Sequence, residues 1–445
     1  MEHLTYATLV EKHRQTILDA ERQIWRHPET GFREWKTEAY LAEIFEKAGY
    51  KLHKAGNIPG FYTDLDTGRP GPKLLIMGEM DALLQPNHPE AVDGKAHTCG
   101  HNCQCAALVG TALALKEPGA LDGLCGSIRL MAVPAEELVE TDFREDLQKQ
   151  GIIRYMSGKQ EFLYRGYMDG CDICYLLHAS ASWEKVFECW DCNGGITKDI
   201  TFTGVAAHAA ACPHLGINAL YAANLGIQAI NNLRETFRDQ DHVRVNPILA
   251  SGGDAIGAIP AKVTINSSIR AATIDAMMET SEKINRAMAG AALTVGAEVH
   301  IEDHPGYAPL YNDANLVKLA GDVSRELMDD SQIDMHHPWG SACTDMGDMS
   351  CVMRTIHPHI AGCVGLGHSD DFYVKDPEMA CVLGAKIQVL MAVHLLENNA
   401  AKAKEVLAGP PLPYASKEAY FAVLDHFNGS KDLVSYGDHR AEVTY

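Results

Sequence analysis

The sequence is short of positive charge: 38 lysines and arginines face 59 aspartates and glutamates, a formal net charge of -21 over 445 residues. That balance argues against a partner made of nucleic acid or an anionic membrane surface. It leaves an anionic small molecule open, because a pocket can differ locally from the whole. No run reaches the roughly 18 apolar residues that a membrane span needs. The opening segment, "MEHLTYATLVEKHRQTILDAERQIW", lacks the basic start and apolar stretch of a signal peptide and reads as an amphipathic helix. These absences point to the cytoplasm. No internal repeat or long low-complexity tract interrupts the chain.

Thirteen cysteines are present, an odd number. Without an export signal, a disulfide framework is not expected. Cys171, Cys174, Cys189 and Cys192 come close to zinc-ribbon spacing. The surrounding "CDICYLLHAS" is mostly apolar, however, and reads as a buried strand where a ribbon needs a polar turn. These thiols are read as core or loop residues.

Helices are expected over residues 5–26, 36–49 and 103–116. Three apolar runs, "GPKLLIMGEMDALL", "SIRLMAVPAEE" and "CDICYLLHA", each end in carboxylates or a histidine. Strands alternating with helices imply a largely parallel sheet flanked by helices, with a site at the strands' carboxyl ends. The middle of the chain has another rhythm. A strand near 195–203, a helix over 216–237, strands near 243–250 and 261–272, a helix over 274–295 and a strand over 297–303 make β-α-β-β-α-β, the ferredoxin-like order. The expected organisation is α/β: a discontinuous catalytic domain over 1–192 and 305–445, extended at its C-terminus from about 400, with an inserted domain over 193–304.

Candidate chemistry sits at the ends of the apolar runs. In "HTCGHN", Cys99 and His101 are a thiol and an imidazole suited to zinc or a similar borderline metal. Glu136 and Glu137 are adjacent carboxylates after a buried strand, costly unless neutralised. A metal would divide their work into one ligand and one general base. His178 ends "LLHA" and His368 lies in "GLGHSDDF". Each position alone also reads as a core, capping or solvated residue. Together they supply a Cys, a Glu and three His at one sheet edge, enough for two metal ions with room for water and substrate. Asp81, in "GEMDALL", suits a carboxylate that accepts the free N–H of a ligating imidazole.

These segments resemble the aminoacylase and carboxypeptidase-like superfamily of metal-dependent amidohydrolases. The likeness is to the branch of aminobenzoyl-glutamate hydrolase, hippurate hydrolase and the indoleacetyl-amino-acid hydrolases. It runs in order through "HTCGHNCQCAALVGTALAL", "VPAEE", "LLHA", "TFTGVAAHAAACPHLGINAL", "SGGDAIGAIPAKVTINSSIRAAT" and "GLGHSDDFYVKDPEMACVLGAKI", over roughly residues 10–397. The resemblance implies that Cys99, His101, Glu137, His178 and His368 hold two divalent ions per subunit, zinc or manganese, with cobalt possible. It implies that Glu136 is the general base and acid. It implies that the inserted domain pairs two subunits into a homodimer, with His208 of the partner subunit polarising the scissile carbonyl. Arg270 matches an arginine that reads the substrate's carboxylate, a task suited to a guanidinium. The implied reaction is hydrolysis of an N-acyl or N-aroyl amino acid. A dipeptidase and a non-catalytic binding subunit are the alternatives.

Two positions depart from the wider pattern. Glu79 stands where sister branches place a ligand histidine. Gly257 stands where the family usually has an asparagine near the substrate's carboxylate or carbonyl end, which removes a side-chain donor and widens the pocket. Cys103 and Cys105, just past the ligands, are expected to pack.

Overall fold

In "KLLIMGE" every residue from Leu74 to Glu79 is buried. A strand buried on both faces belongs inside a parallel sheet covered by helices. The computed structural model, which describes residues 3–181, 183–336, 338–437 and 440–444, places it there. The sheet has six strands in the order His53–Lys54, Phe61–Asp66, Ser127–Val133, Lys73–Glu79, Ile173–Tyr175 and Arg354–Ile356. The last four run parallel, and the first two form an antiparallel edge. Phe61–Asp66 shows the alternation of such an edge: Phe61, Thr63 and Leu65 are buried while Asp64 and Asp66 face solvent.

The helix His101–Leu115 is buried at every residue except Leu113. It lies against Lys73–Glu79 and between the helices Arg14–Trp25 and Gly384–Leu407. Gly110 makes that approach possible, since a Cβ there would lie 2.6 Å from Ile17 Cδ1 and 2.8 Å from Ala385 Cβ. Cys103 and Cys105 are buried in the same core, as expected. Cys174, Cys189 and Cys192 are buried too.

The chain divides into two units. The first comprises Met1–Asp191, Tyr311–Trp339 and Asp348–Tyr414, and the second Cys192–Leu310, Gly340–Gly347 and Ala415–Tyr445. The second contains the β-α-β-β-α-β order read from the sequence. Its antiparallel sheet runs Arg244–Ser251, Lys262–Ala271, Gly194–Thr203, Glu298–Tyr307, Gly429–Gly437 and Arg440–Val443. The helices Ala219–Leu233 and Ile274–Val295 share its core. Asn218 starts the first by accepting from the amides of Leu220 and Tyr221, and Thr273 starts the second by accepting from Ala276.

Four expectations change in detail. The N-terminal helix is two, His3–Lys12 and Arg14–Trp25, divided at His13, which leaves helical geometry (φ -102°, ψ 9°) and pairs with Glu117 at 2.9 Å. The run over 171–179 is also two strands. Ile173–Tyr175 stays in the main sheet, and His178–Ser180 joins a separate four-stranded sheet beside His359–Ala361. Residues 415–445 belong with the second unit rather than the first, because Gly429–Gly437 pairs with Glu298–Tyr307. Finally, Glu378–Leu407 is long and apolar enough to cross a membrane by composition, contrary to the sequence reading. Of its most apolar stretch 78% is buried within the protein, which makes it a core helix.

Candidate metal centre

Three neighbouring parallel strands deliver the site from their carboxyl ends. Lys73–Glu79 leads into Asp81, Ser127–Val133 into Glu136 and Glu137, and Ile173–Tyr175 into His178. Cys99 precedes the buried helix and His101 is its first residue, entered through Gly100 in the left-handed region (φ 86°). His368 comes from an exposed loop and is itself left-handed (φ 64°). Its amide donates to Thr98 O at 2.9 Å, and its carbonyl accepts from Gln85 Nε2 at 2.6 Å. Strain of this kind persists only where neighbours hold it.

The structure gathers the first-unit residues singled out above. The donor atoms of Cys99, His101 and His178 lie within 4.8 Å of one another, as do those of Cys99, Glu137 and His368, and those of His101, Glu136 and Glu137. Cys99 is common to the first two groups. Its Sγ is 3.4 Å from Nε2 of both His178 and His368, and His368 Nε2 is 3.1 Å from Glu137 Oε1.

The ring nitrogens are oriented. His101 Nδ1–H donates to Asp81 O at 3.0 Å and to Asp81 Oδ1 at 3.1 Å, and His178 Nδ1–H donates to Ala179 O at 2.6 Å. Both Nε2 atoms therefore face inward, as metal ligands must. Asp81 Oδ2 also accepts from the Glu137 amide at 2.8 Å. Glu34 accepts from the Ala135 amide at 2.8 Å, and buried Arg144 donates to Glu137 O. The loop that carries both glutamates is thus held at three points.

The donor set fits a metal. His101 Nε2 and Glu137 Oε1 are buried without a hydrogen-bond partner, although each has an opposite charge within ion-pair distance. Buried polar atoms left this way suit an ion. Thiolate, imidazole and carboxylate around a shared sulfur make a two-ion arrangement. Desolvation and the nearby Glu137 carboxylate push the Cys99 thiol well up. Burial opposes charge on His101, yet Cys99, Glu79 and Asp81 around it hold the imidazolium well above its ordinary value. Burial, aided by His101, lowers His178 to about 4.

Glu79 lies in the same nest. Burial would raise it, but Lys159 and then His101 hold its carboxyl below the usual range. Lys159 escaped the sequence reading, as did His357 and His359, whose rings sit 5.7 Å and 5.3 Å from that of His178. Nothing in "SGKQEFLY" marks its lysine as buried, and the two histidines resemble any others after a short strand. A cavity of about 410 Å³ opens beside the candidate ligands, bounded by Cys99, His178, His368, Trp190, His359 and Phe372. A larger one of about 620 Å³, near Lys318 and Arg325, is lined by none of the candidate ligands.

His208, Gly257 and Arg270 lie in the second unit. His208 bridges to Ala258, its Nδ1 accepts from the amides of Ala210 and Ala211, and Ala209 N donates to Gly257 O at 2.9 Å. His208 and Gly257 are therefore neighbours. Arg270 is the penultimate residue of the strand Lys262–Ala271 and donates to Ser341 O at 3.2 Å.

Metal uptake should release protons. At pH 7 the raised Cys99 thiol carries one, whereas His178 is already neutral. Calorimetry in buffers of different ionisation enthalpy should find at least one proton released per chain, and affinity should rise with pH. No proton release at pH 7 would contradict Cys99 as a ligand.

Residues 75–394 match Peptidase family M20/M25/M40. The chain is 30% identical over 294 residues to one component of the p-aminobenzoyl-glutamate hydrolase of Escherichia coli, covering 64% of this chain but only 56% of that protein. It is 28% identical over 386 residues to the human Xaa-Arg dipeptidase, covering 79% of this chain and 78% of the relative. Its fold superimposes with a TM-score of 0.69 on a dinuclear metal binding peptidase of the M20 family from Bacillus subtilis, at 20% identity over 87% of this chain and 99% of the other. With the family matched over residues 75–394, most of the chain, the chain belongs to Peptidase family M20/M25/M40 and is a metal-dependent amidohydrolase.

Proposed function

We propose that the protein hydrolyses the amide bond of an N-acyl or N-aroyl amino acid, releasing the free amino acid. The observation that carries this reading is Glu136 beside Glu137 and His101, at the edge of two donor groups that share Cys99. When bound, two divalent ions held by Cys99, His101, Glu137, His178 and His368 supply Lewis-acid polarisation and lower the pKa of water. Cys99 is a soft ligand and favours zinc over manganese.

Glu136 has the work of the base. Its carboxylate takes the proton of the attacking water and returns it to the nitrogen of the leaving amine. Asp81 keeps His101 in one tautomer through the cycle. The 410 Å³ cavity bears Trp190 and Phe372, flat walls that suit an apolar or aromatic acyl group. The roles of Arg270, as reader of the substrate's carboxylate, and of the partner subunit's His208, as donor to the carbonyl oxygen, rest on the family resemblance. The dipeptidase reading is favoured by the likeness to the Xaa-Arg dipeptidase and differs by requiring a free α-amino group. Thirteen cysteines, none in a disulfide among the described residues, suit the reducing cytoplasm.

The second unit is proposed as the dimerisation domain. Its sheet ends on Arg244–Ser251, an edge strand exposing Ile248 and Leu249. A long edge with exposed apolar side chains is a template for another strand.

Three measurements test this reading. Glu136→Gln should keep its metal and lose about 10²–10⁴-fold in kcat on a panel of N-acyl amino acids, N-aroyl amino acids and dipeptides. Full activity in that variant would remove Glu136 from the mechanism. A Cβ at Gly257 meets nothing within 4 Å, so Gly257→Asn should fold normally. It should change KM by about tenfold for substrates bearing a free carboxylate, and an unchanged KM would separate this position from substrate binding. Leu249→Lys should convert a dimer to monomers in sedimentation velocity. A monomeric wild type, or an undisturbed dimer, would overturn the assignment of this edge.

A further inference from the structure

Lys159 is fully buried, with no exposed surface. An ammonium group in the interior is costly unless an anion and hydrogen bonds meet it. The chain goes to some trouble to bring it there. Ser157 caps the short helix Gly158–Tyr164, and the Gly158 amide donates to Ala135 O at 3.0 Å. A Cβ on Gly158 would lie 1.6 Å from Pro134 O, so only glycine lets this turn press against the loop carrying Glu136 and Glu137. The next residue is Lys159, and its Nζ donates to Glu79 Oε1.

Glu79 is fixed at its other atoms as well. Its amide donates to Gln104 Oε1 at 3.2 Å, Gln104 Nε2 donates to Glu79 Oε2 at 2.7 Å, and Cys105 Sγ donates to Glu79 O at 2.9 Å. The result is that Oε2 stands 3.2 Å from His101 Nε2. Since His101 Nδ1–H is committed to Asp81, the inward Nε2 offers a lone pair whenever the ring is neutral. A carboxylate oxygen beside that lone pair is tolerable only with positive charge nearby. Glu79 is long enough to close on an ion at Nε2 with both oxygens, and Lys159 engages the oxygen that does not face the imidazole.

We propose that Lys159 is a positioning residue of the metal centre: it pins Glu79 beside His101 as a fixed counter-charge to the ion that Nε2 would hold and prevents the carboxylate from becoming a further ligand. The pair would thereby preserve the open coordination that a hydrolytic metal needs for water and substrate. Outer carboxylates of this kind change metal affinity by about 10–100-fold when removed. A lysine present only to fill the core would influence folding but not the ion's coordination.

The inference rests on the proposed metal ligands, and cobalt tests the two separately. Wild-type protein is stripped of metal and titrated with Co²⁺, following stoichiometry, affinity and the visible absorption bands. Failure of the wild type to bind cobalt would remove the metal reading itself. Given binding, Glu79→Gln should weaken affinity by about 10-fold or more. Lys159→Met should lower the intensity of the visible bands, as Glu79 closes on the ion and raises its coordination number, with kcat falling more than KM changes. If Lys159→Met does not fold, Lys159→Arg replaces it, because the larger planar head cannot take the ammonium's place without moving Glu79. A wild-type cobalt spectrum in whichever lysine variant folds, or an unchanged affinity in Glu79→Gln, would overturn the proposal.

Discussion

The carboxylate of Asp81 is the joint on which the centre depends. One oxygen receives His101 Nδ1–H, and the other receives the amide of Glu137. A single side chain at the end of one strand thus ties the buried helix His101–Leu115 to the loop after Ser127–Val133. Both connections are made out of water, where a hydrogen bond is stronger and a missing partner more costly. The geometry of two of the proposed ligands is therefore set by the same few atoms. Displacing Asp81 would disturb a histidine's tautomer and a glutamate's backbone together.

Around that joint the fold concentrates negative charge. Glu79, Asp81, Glu136 and Glu137 are all buried at adjacent strand ends. Such a gathering would be unstable alone. The protein compensates with cations of two kinds. Arg144 and Lys159 are fully buried, and Lys159 donates to Glu79. His101 meets the same carboxylates, and Glu79 and Asp81 around it favour its charged form. Packing fixes where that negative charge lies: the sheet places the carboxylates, and the close approaches at Gly110 and Gly158 fix the helices around them.

Much of this was legible from residue order. The apolar runs ending in acids or histidine announce strands whose carboxyl ends carry chemistry, and the structure gathers Cys99, His101, Glu136, Glu137, His178 and His368 accordingly. The second rhythm of strands and helices also emerges with its boundaries shifted by only a few residues, because Asn218 and Thr273 are strong local caps. Other features depend on long-range contacts that no local pattern encodes. Lys159 follows serine and glycine like a solvent-facing helix start, and only the fold buries it. The chain's passage from one sheet to another at Leu176 and Leu177 is invisible in a continuous apolar run. The strand Gly429–Gly437 finds its partner more than 120 residues earlier, at Glu298–Tyr307.

That last pairing has a consequence for how the protein is made. Most of the second unit is encoded over Cys192–Leu310, yet the outer part of its sheet is encoded after residue 428, with Tyr311–Trp339 and Asp348–Tyr414 in between. During synthesis the strand Glu298–Tyr307 leaves the ribosome well before Gly429–Gly437 does. At about 5–20 residues per second, it waits for many seconds with one edge unpaired. An open edge over that interval is a place where nascent chains can join wrongly. The strand Gly429–Gly437 is thus a late cover for that edge, and a chain stopped before residue 429 would leave it uncovered.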